Sequence, residues 1–511
     1  KEMAMQKMLS LLSVLLLLVP LAYTQATDQD LEAERIGEET AAGFSLAPYN
    51  PTATVKLGLN NPFLQSESAP SESQSKYVLP VEPIPRNVGA AIAETVGLNI
   101  LVWSFGQYVM DQESGAHSYI NLDTMRDNLT YWFEWDPNHF STNFFAHPYH
   151  GGLYYNAGRT NGLDFWASSF CAFGGSFMWE VFMENHRPSI NDLAMTTTGG
   201  MFMGEMLFRF SNLVWDDSAT GFNRVWREAV GLLLNPVGGF NRLIRGDMST
   251  TRSTHNQIRA PVDFTLFWSG AISSGSSDAP DEDEDIEDQE VSPSWELLLL
   301  YGEAFRKGEQ RKPFDWFVLQ WSARRTDQLY FSIYAYSLLL GKEFGSKESQ
   351  NHMVGLFQHY DYIYNETIRL GGTSFCPGFI SQFHLSKTAR FSILGHLGWL
   401  MMGASNNEYV VDDKRDYNYG TGITAKLDLS LNLQKYGQLI LRWGHYTIFS
   451  LEGADGTDRL NLFQMRLRIP IWKGLGLGGV YTVYRRNSHY DNFPDVKQRL
   501  YQLNFSVSYN F

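Results

Sequence analysis

The sequence predicts an α+β membrane protein in which an N-terminal helical domain precedes a C-terminal antiparallel transmembrane β-barrel of about twelve strands. Three observations predict this fold. The C-terminal segment alternates apolar and polar residues, strand-like segments follow one another from about residue 260 onward, and aromatic residues make up 14% of the chain. Aromatic side chains concentrate at the two membrane interfaces of such barrels.

The C-terminal segment carries the clearest strand pattern. From Tyr501 onward every odd position is apolar or aromatic and every even position is polar, as in Phe505, Ser506 and Val507. A period of two predicts a strand with one apolar and one polar face. The sequence ends on Phe511, which resembles the signal by which Gram-negative barrels are recognised for insertion. A soluble all-β protein is the alternative interpretation.

Charged residues within the predicted strands indicate which face is internal. A charge at the lipid midplane costs roughly 2–4 kcal/mol, so we expect Lys426, Asp428, Arg466 and Arg468 to face the barrel interior. We also expect Arg442, Arg466 and Arg468 to contact acidic groups of the helical domain. The candidate strands lie near 260–274, 294–304, 314–324, 328–344, 351–365, 368–386, 389–405, 418–432, 437–452, 459–472, 475–490 and 497–511.

The start of the chain predicts export. Residues 1–26 combine Lys7, an apolar core and small residues ending at Ala26, which is typical of a signal peptide. The predicted domains are this signal peptide, an irregular periplasmic linker at 27–86, a helical domain of unknown function at 87–250, and the barrel at 255–511. We therefore expect an outer-membrane location, with the helical domain in the lumen or the periplasm.

The charge balance limits the partners. The formal net charge is −15 and no basic stretch occurs, which argues against nucleic acid. Outer-membrane lipid is the expected partner, and an envelope protein is a further candidate. The sequence predicts no cofactor and no metal.

The helical domain is rich in glycine. Helical patterns are predicted near 88–110, 121–135, 161–184 and 189–213, and each is interrupted by polar residues. Glycines such as Gly174, Gly175, Gly199, Gly200 and Gly204 each cost up to about 1 kcal/mol relative to alanine in a helix. Close backbone packing is the usual compensation. The sequence leaves open whether these helices lie under, inside or beside the barrel.

Two carboxylates in this domain are candidate functional groups. Glu180 and Glu184 are one helical turn apart and are expected to share a face. Such a pair is suited to acid–base chemistry or metal binding. The favoured interpretation is structural, because buried carboxylates usually pair with arginines. The available partners are Arg159, Arg187 and Arg209.

The neighbouring motifs have a functional and a structural interpretation. His147 and His150 could ligate a metal with either glutamate. Their spacing across Pro148 and before two glycines instead indicates a loop, which disfavours a metal site. Ser189 with Asp192 three residues later has the spacing of a capping box and predicts a helix start.

These motifs together resemble the bacterial outer-membrane family catalogued as domain of unknown function 3943, over about residues 138–209. The resemblance implies export and a helical domain before a barrel, and it implies no activity. The matching positions are His147, Pro148, Tyr149, Gly151, Tyr155, Arg159, Gly162, Glu180, Glu184, Ser189, Asp192, Gly200, Glu205 and Arg209.

Three functions are consistent with this sequence. The leading hypothesis is a non-enzymatic outer-membrane barrel whose helical domain plugs the barrel or couples it to a partner or a lipid. The second is an enzyme that modifies an envelope lipid or polymer through Glu180, Glu184, Asp192 and His147. The third is a passive diffusion channel.

Overall fold

The C-terminal part of the chain forms a closed barrel of twelve antiparallel strands, in which β1 pairs with both β2 and β12. The structure is a computed structural model, and it describes residues 84–109, 118–131, 133–251, 260–279, 286–306, 311–346, 349–365, 367–409 and 415–510. The predicted signal peptide, most of the predicted linker and Phe511 lie outside the described residues.

The predicted strand number is confirmed, and most strand bounds agree with the prediction to within three residues. The strands are β1 (Val262–Ser277), β2 (Ile286–Gly302), β3 (Trp316–Arg325), β4 (Leu329–Ser346), β5 (Gln350–Tyr364), β6 (Arg369–Ser386), β7 (Ala389–Asn406), β8 (Tyr417–Asn432), β9 (Gln438–Glu452), β10 (Gly456–Trp472), β11 (Leu475–Tyr490) and β12 (Val496–Asn510). β2 begins earlier than predicted. We call the two rims the terminal end, where β1 starts and β12 ends, and the β7–β8 end, where connection 407–416 lies.

The outward face of the barrel is apolar. Phe505 is 65% exposed and Trp399 is 55% exposed, although water-soluble proteins bury most such side chains. The alternate positions of the strands are polar and point inward. This division matches a barrel whose outer surface meets lipid.

The lumen is crossed by polar side chains from opposite walls. Arg442 of β9 pairs with Asp428 at 3.1 Å and also donates a hydrogen bond to Gln320 of β3, which lies across the barrel. Arg466 of β10 pairs with Glu296 of β2 at 2.6 Å. The prediction that these charges face inward is confirmed. The expectation that the arginines meet acidic groups of the helical domain is wrong for Arg442 and Arg466, because the barrel itself supplies their partners.

The predicted helical region contains seven α-helices in its described part. They are α1 (Val88–Tyr108), α2 (Leu122–Thr130), α3 (His147–Thr160), α4 (Phe165–Phe182), α5 (Ile190–Val214), α6 (Gly221–Leu234) and α7 (Pro236–Ile244). A π-helical turn, Thr142–Ala146, leads into α3. The predicted loop around His147 is therefore wrong: Pro148 sits in the first turn of α3, where a missing N–H costs nothing.

The helical domain packs on the outside of the barrel. Phe140 lies 5.1 Å from Tyr362 and Phe202 lies 5.9 Å from Tyr360, measured between ring centroids. Both tyrosines share a face of β5 with Val354, which is 45% exposed, because the three are an even number of residues apart and β5 pairs with β6 without a register shift. The predicted lumenal plug is therefore wrong, because these helices cover the outward side chains of β5.

Tight backbone contact holds α3 against α5. An added Cβ on Gly200 would lie 2.6 Å from the carbonyl carbon of Gly151, and one on Gly204 would lie 3.0 Å from the Cα of Gly152. No Cβ atom fits at these two positions. The prediction that the glycines serve close packing is confirmed for Gly200 and Gly204.

The outer surfaces of α1 and α4 are apolar and exposed. Leu101 of α1 is 65% exposed and Phe170 of α4 is 76% exposed. In the described part of the chain, α1 is the helix that is long and apolar enough to cross a membrane. At 1.5 Å per residue, α5 is about 37 Å long, which exceeds the roughly 30 Å hydrocarbon core of a bilayer. Like the barrel wall, the helical domain therefore presents an apolar surface.

Replacing Gly200 with alanine should separate α3 from α5. The new methyl group would meet backbone atoms, which cannot move aside, so we expect a loss of roughly 1–3 kcal/mol. The midpoint of the thermal loss of helical circular dichroism in detergent would report it. Gly174→Ala is the matched control, because nothing lies within 4 Å of its added Cβ. Equal midpoint losses for both variants would contradict the packing role.

The purified full chain should form no large steady pore. The contacts of Arg442 with Gln320 and of Arg466 with Glu296 join non-adjacent walls and obstruct ion flow along the axis. Single-channel recording in planar bilayers would measure this, with a general porin as the positive control. Long-lived ohmic steps of porin size from the wild-type chain would refute the obstruction.

Candidate functional site

Three segments of the helical domain converge at the β7–β8 end. Asp136 lies in the extended segment before the π-helical turn, His147 opens α3, and Asp192 lies in the first turn of α5. The extended segment is held by backbone hydrogen bonds from Glu134 to Pro188 at 2.9 Å and from Ile190 to Glu134 at 3.0 Å. This short parallel bridge fixes Asp136 beside the start of α5.

The side chains of Asp136, His147 and Asp192 form the centre of the site. Their oxygen and nitrogen atoms suited to metal binding all lie within 4.8 Å of one another. His147 Nε2 is buried, lies 3.4 Å from Asp192 Oδ1 and forms no hydrogen bond with another described residue. A buried imidazole nitrogen without a protein partner is costly. The fold thus brings two carboxylates and one imidazole nitrogen together.

Asn191 organises the surroundings of Asp192. Its amide nitrogen donates to Asp192 Oδ1 at 2.8 Å, and its amide oxygen accepts the backbone N–H of Asp136 at 2.9 Å. The Ser189 hydroxyl donates to the same amide oxygen at 2.8 Å. Ser189 occupies the N-cap position of α5 but makes no side-chain capping bond. The predicted capping role of the Ser189 side chain is therefore wrong, because its hydroxyl is used by Asn191.

The two predicted glutamates have different positions. Glu180 is buried near the end of α4, and its Oε2 accepts the backbone N–H of Ser189 at 2.8 Å. Glu184 follows the end of α4, and its carboxylate lies 3.8 Å from His186 Nδ1. Glu184 therefore lies beyond the helix that was expected to place both carboxylates on one face. His150 contributes no ligand to the central cluster and packs against Tyr154 and Trp179.

The barrel contributes two tyrosines to the margin of the site. Tyr419 accepts a hydrogen bond from the Asn191 amide at 2.9 Å and lies 2.9 Å from the Tyr417 hydroxyl. The ring of Trp135 stacks on Tyr419 with centroids 5.2 Å apart. Both tyrosines face outward at the start of β8. The sequence analysis missed them, although a Tyr-x-Tyr pair at a strand start is a visible signal.

The acidic groups of the site lack arginine partners. Among the described residues, no lysine or arginine forms an ion pair with Asp136, Glu180 or Asp192. Arg187, one of the predicted partners, lies 3.5 Å from Glu134 instead. The predicted arginine pairing of Glu180 and Glu184 is therefore wrong. Burial raises the pKa of Asp136 to about 7, and the nearby Asp192 carboxylate adds to the rise.

The remaining arginines neutralise a different carboxylate. Glu205 of α5 is fully buried, and it pairs with Arg159 at 2.7 Å and Arg209 at 2.8 Å. The Tyr155 hydroxyl also donates to Glu205 at 2.7 Å. Arg209 further donates to the backbone oxygen of Pro313 in the connection between β2 and β3, so this network lies towards the terminal end. The domain thus neutralises Glu205 with two arginines, whereas no lysine or arginine among the described residues pairs with the carboxylates of the cluster at the other end.

Each motif position belongs either to the site or to the scaffold that supports it. His147, Glu180 and Asp192 belong to the site, and Asn191, Asp136 and the barrel tyrosines are the members that the sequence analysis missed. The rest support the scaffold. Pro148 contacts Gly199, Gly162 adopts a φ of 79° that suits glycine, and the Glu205 network joins α3 to α5.

Comparisons with known proteins agree with the sequence resemblance over part of the chain. Residues 132–237 match the family model described as Domain of unknown function (DUF3943). This span contains the whole site apart from the barrel tyrosines. The chain has no match among curated proteins.

Several solved structures are similar to about half of this chain. They include the CymD monoaromatic hydrocarbon channel (10% identity, TM-score 0.20, 50% of this chain and 89% of that chain). The translocator domain of autotransporter NalP from Neisseria meningitidis is similar at 10% identity and TM-score 0.23, over 50% and 89% of the chains. The Pseudomonas putida toluene transporter TodX is similar at 9% identity and TM-score 0.20, over 49% and 90%.

Replacing the two buried glutamates with glutamine should have unequal effects on stability. Glu205→Gln leaves Arg159 and Arg209 without their shared partner, which typically costs about 3–5 kcal/mol for a buried pair. A buried carboxylate without a basic partner takes up a proton rather than remaining charged, so Glu180→Gln replaces a neutral group, keeps an acceptor for the Ser189 N–H and should change stability by less than about 1 kcal/mol. Chemical unfolding of both variants in detergent tests this. A loss for Glu180→Gln as large as that for Glu205→Gln would contradict the expected difference.

Proposed function

We propose that this chain is an outer-membrane protein of the Gram-negative envelope in which the barrel anchors a lipid-embedded helical domain, and that this domain modifies an envelope lipid. The observation that carries the proposal is the cluster of Asp136, His147 and Asp192 at the end of an apolar helical bundle. The buried carboxylates of Glu205, Asp217 and Glu228 in this domain pair with arginine. No lysine or arginine among the described residues pairs with Asp136 or Asp192.

The surfaces of both parts support a membrane location. The barrel has an apolar outward face and a polar interior, and the exposed faces of α1 and α4 continue the apolar surface beside it. Two connections at the terminal end, 387–388 and 473–474, have the short form typical of periplasmic turns. In this orientation the β7–β8 end and the site lie towards the outer leaflet.

The chemistry of the site suits a lipid headgroup. Carboxylates and imidazoles are the side chains most used in acid–base catalysis, and the hydroxyls of Tyr417 and Tyr419 offer further polar contacts. The acyl chains of a lipid would extend along the apolar surface beside the site. We infer ester hydrolysis, in which the oxygen of water replaces the alcohol oxygen and the alcohol leaves with a proton.

The obstructed lumen disfavours the passive-channel alternative. A substrate that reaches the site laterally through the bilayer has no need of a pore, and the cluster lies outside the barrel wall. The obstructed lumen and the lateral access to the cluster both support an enzyme over a passive channel.

A non-catalytic role in binding a lipid or an envelope protein is the second candidate. The exposed faces of α1 and α4 favour it, because they offer a broad apolar surface whether or not the cluster is reactive. This role predicts lipid or protein association that does not depend on His147 or Asp192.

Lipid turnover distinguishes these functions. The purified full chain, placed in nanodiscs with phospholipid and lipopolysaccharide, should release products detectable by mass spectrometry. His147→Gln and Asp192→Asn should lower the rate by about 100-fold or more. Glu134→Gln is the matched control, since Glu134 is half-exposed and outside the cluster. A folded wild-type chain that leaves both lipid classes intact would reject the enzymatic proposal.

A further inference from the structure

We propose that Asp136, His147 and Asp192 bind one divalent transition-metal cation, of the class of Zn²⁺ or Mn²⁺. The metal would lie in the proposed catalytic site, and its role in catalysis rests on the proposed function. The binding itself can be measured without any turnover.

Three possible ligand atoms converge at this site. A carboxylate oxygen from each aspartate and a ring nitrogen of His147 lie within 4.8 Å of one another. Two ligands that are each about 2.1 Å from a tetrahedral metal lie about 3.4 Å apart. The separation between His147 Nε2 and Asp192 Oδ1 is 3.4 Å, so this pair is already spaced for a shared ion.

The imidazole nitrogen of His147 gives independent support. His147 Nε2 is buried, lies 3.4 Å from Asp192 Oδ1 and forms no hydrogen bond with any residue that the structure describes. If the ring were protonated there, it would be expected to form a well-aligned bond to the carboxylate. A neutral imidazole nitrogen with a free lone pair is instead the form that ligates a metal. This observation is independent of the acidic residues around it.

Charge gives further support. Buried carboxylates in proteins are paired with cations or coordinate metals. Asp217, which precedes α6, and Glu228 of α6 follow this rule, because each is paired with both Arg224 and Arg242. A divalent ion would supply the charge that the Asp136 cluster lacks.

The donor set indicates the class of metal. Carboxylate oxygens suit Mg²⁺ and Mn²⁺, whereas imidazole favours Zn²⁺ and other transition metals. Two carboxylates and one imidazole therefore favour a borderline ion over Mg²⁺. Three protein ligands also leave a position for water or substrate, as in catalytic zinc sites. Asn191 would act as a positioning residue, because its amide holds Asp192 at 2.8 Å.

Equilibrium dialysis of the full chain against Zn²⁺ and Mn²⁺ in detergent tests the proposal. The purification tag must be removed, because polyhistidine binds both ions. We expect about one equivalent of at least one ion. His147→Gln and Asp192→Asn should each weaken the binding by 10-fold or more, and Asn191→Ala should weaken it by about 10- to 100-fold.

Controls separate ligand loss from loss of fold and of charge. Like Asp192→Asn, Glu134→Gln removes one negative charge. Glu134 lies two residues from Asp136 and outside the cluster, so this variant should bind the ions as the wild type does. Circular dichroism would show whether each variant is folded. If Asp192→Asn does not fold, the binding measured with His147→Gln alone tests the site. In Mn²⁺ electron paramagnetic resonance, the signal of bound ion should decrease in the ligand variants alone.

The outcomes distinguish the two proposals. Failure of the folded wild type to bind either ion, or equal binding by the ligand variants, would overturn the metal site. Metal binding without lipid turnover would keep the metal site and reject the proposed activity. Turnover that persists after chelation, with no bound metal, would keep the activity and reject the metal.

Discussion

The packing of the helical domain on the outward aromatic residues of the barrel is the interaction on which the rest of the structure depends. Side chains such as Phe140 and Phe202 cover Tyr362 and Tyr360, which would otherwise face lipid. In the proposed lipid environment the hydrophobic effect would add little to this packing, since lipid is as apolar as the side chains. Shape complementarity, aromatic contacts and hydrogen bonds such as that from Asn191 to Tyr419 therefore hold the two parts together.

Two of the buried polar clusters in the helical domain differ in how their charges are balanced. Towards the terminal end, Glu205 is neutralised by Arg159 and Arg209, and the network joins α3 to α5. At the β7–β8 end, His147 and Asp192 lie close together, and no lysine or arginine among the described residues pairs with Asp192. Burying such groups lowers stability, and proteins usually tolerate that cost where the groups bind or react.

The alternation of residues made the barrel predictable. A strand exposes alternate residues to opposite environments, so the apolar Phe505 indicates the lipid-facing side and the polar Ser506 indicates the lumen. Four of the seven described helices, α1, α2, α4 and α5, were also predictable from apolar segments and small residues. The arginine partners were not, because Arg159 and Glu205 are 46 residues apart and their contact depends on how α3 crosses α5. The start of α3 was missed because the Pro148 motif suits both a loop and a first helical turn.

Local periodicity and composition are enough to predict a barrel with an apolar outside and a charged inside, preceded by a glycine-rich helical domain. The position of the helices against the outer wall, and the meeting of Asp136 with His147 and Asp192, depend on contacts between distant segments and are visible only in the folded chain. An apolar helix surface suits a lumenal wall, a soluble core and a lipid-facing wall equally well. The choice depends on which residues meet across the fold, and such contacts leave no periodic pattern in the chain.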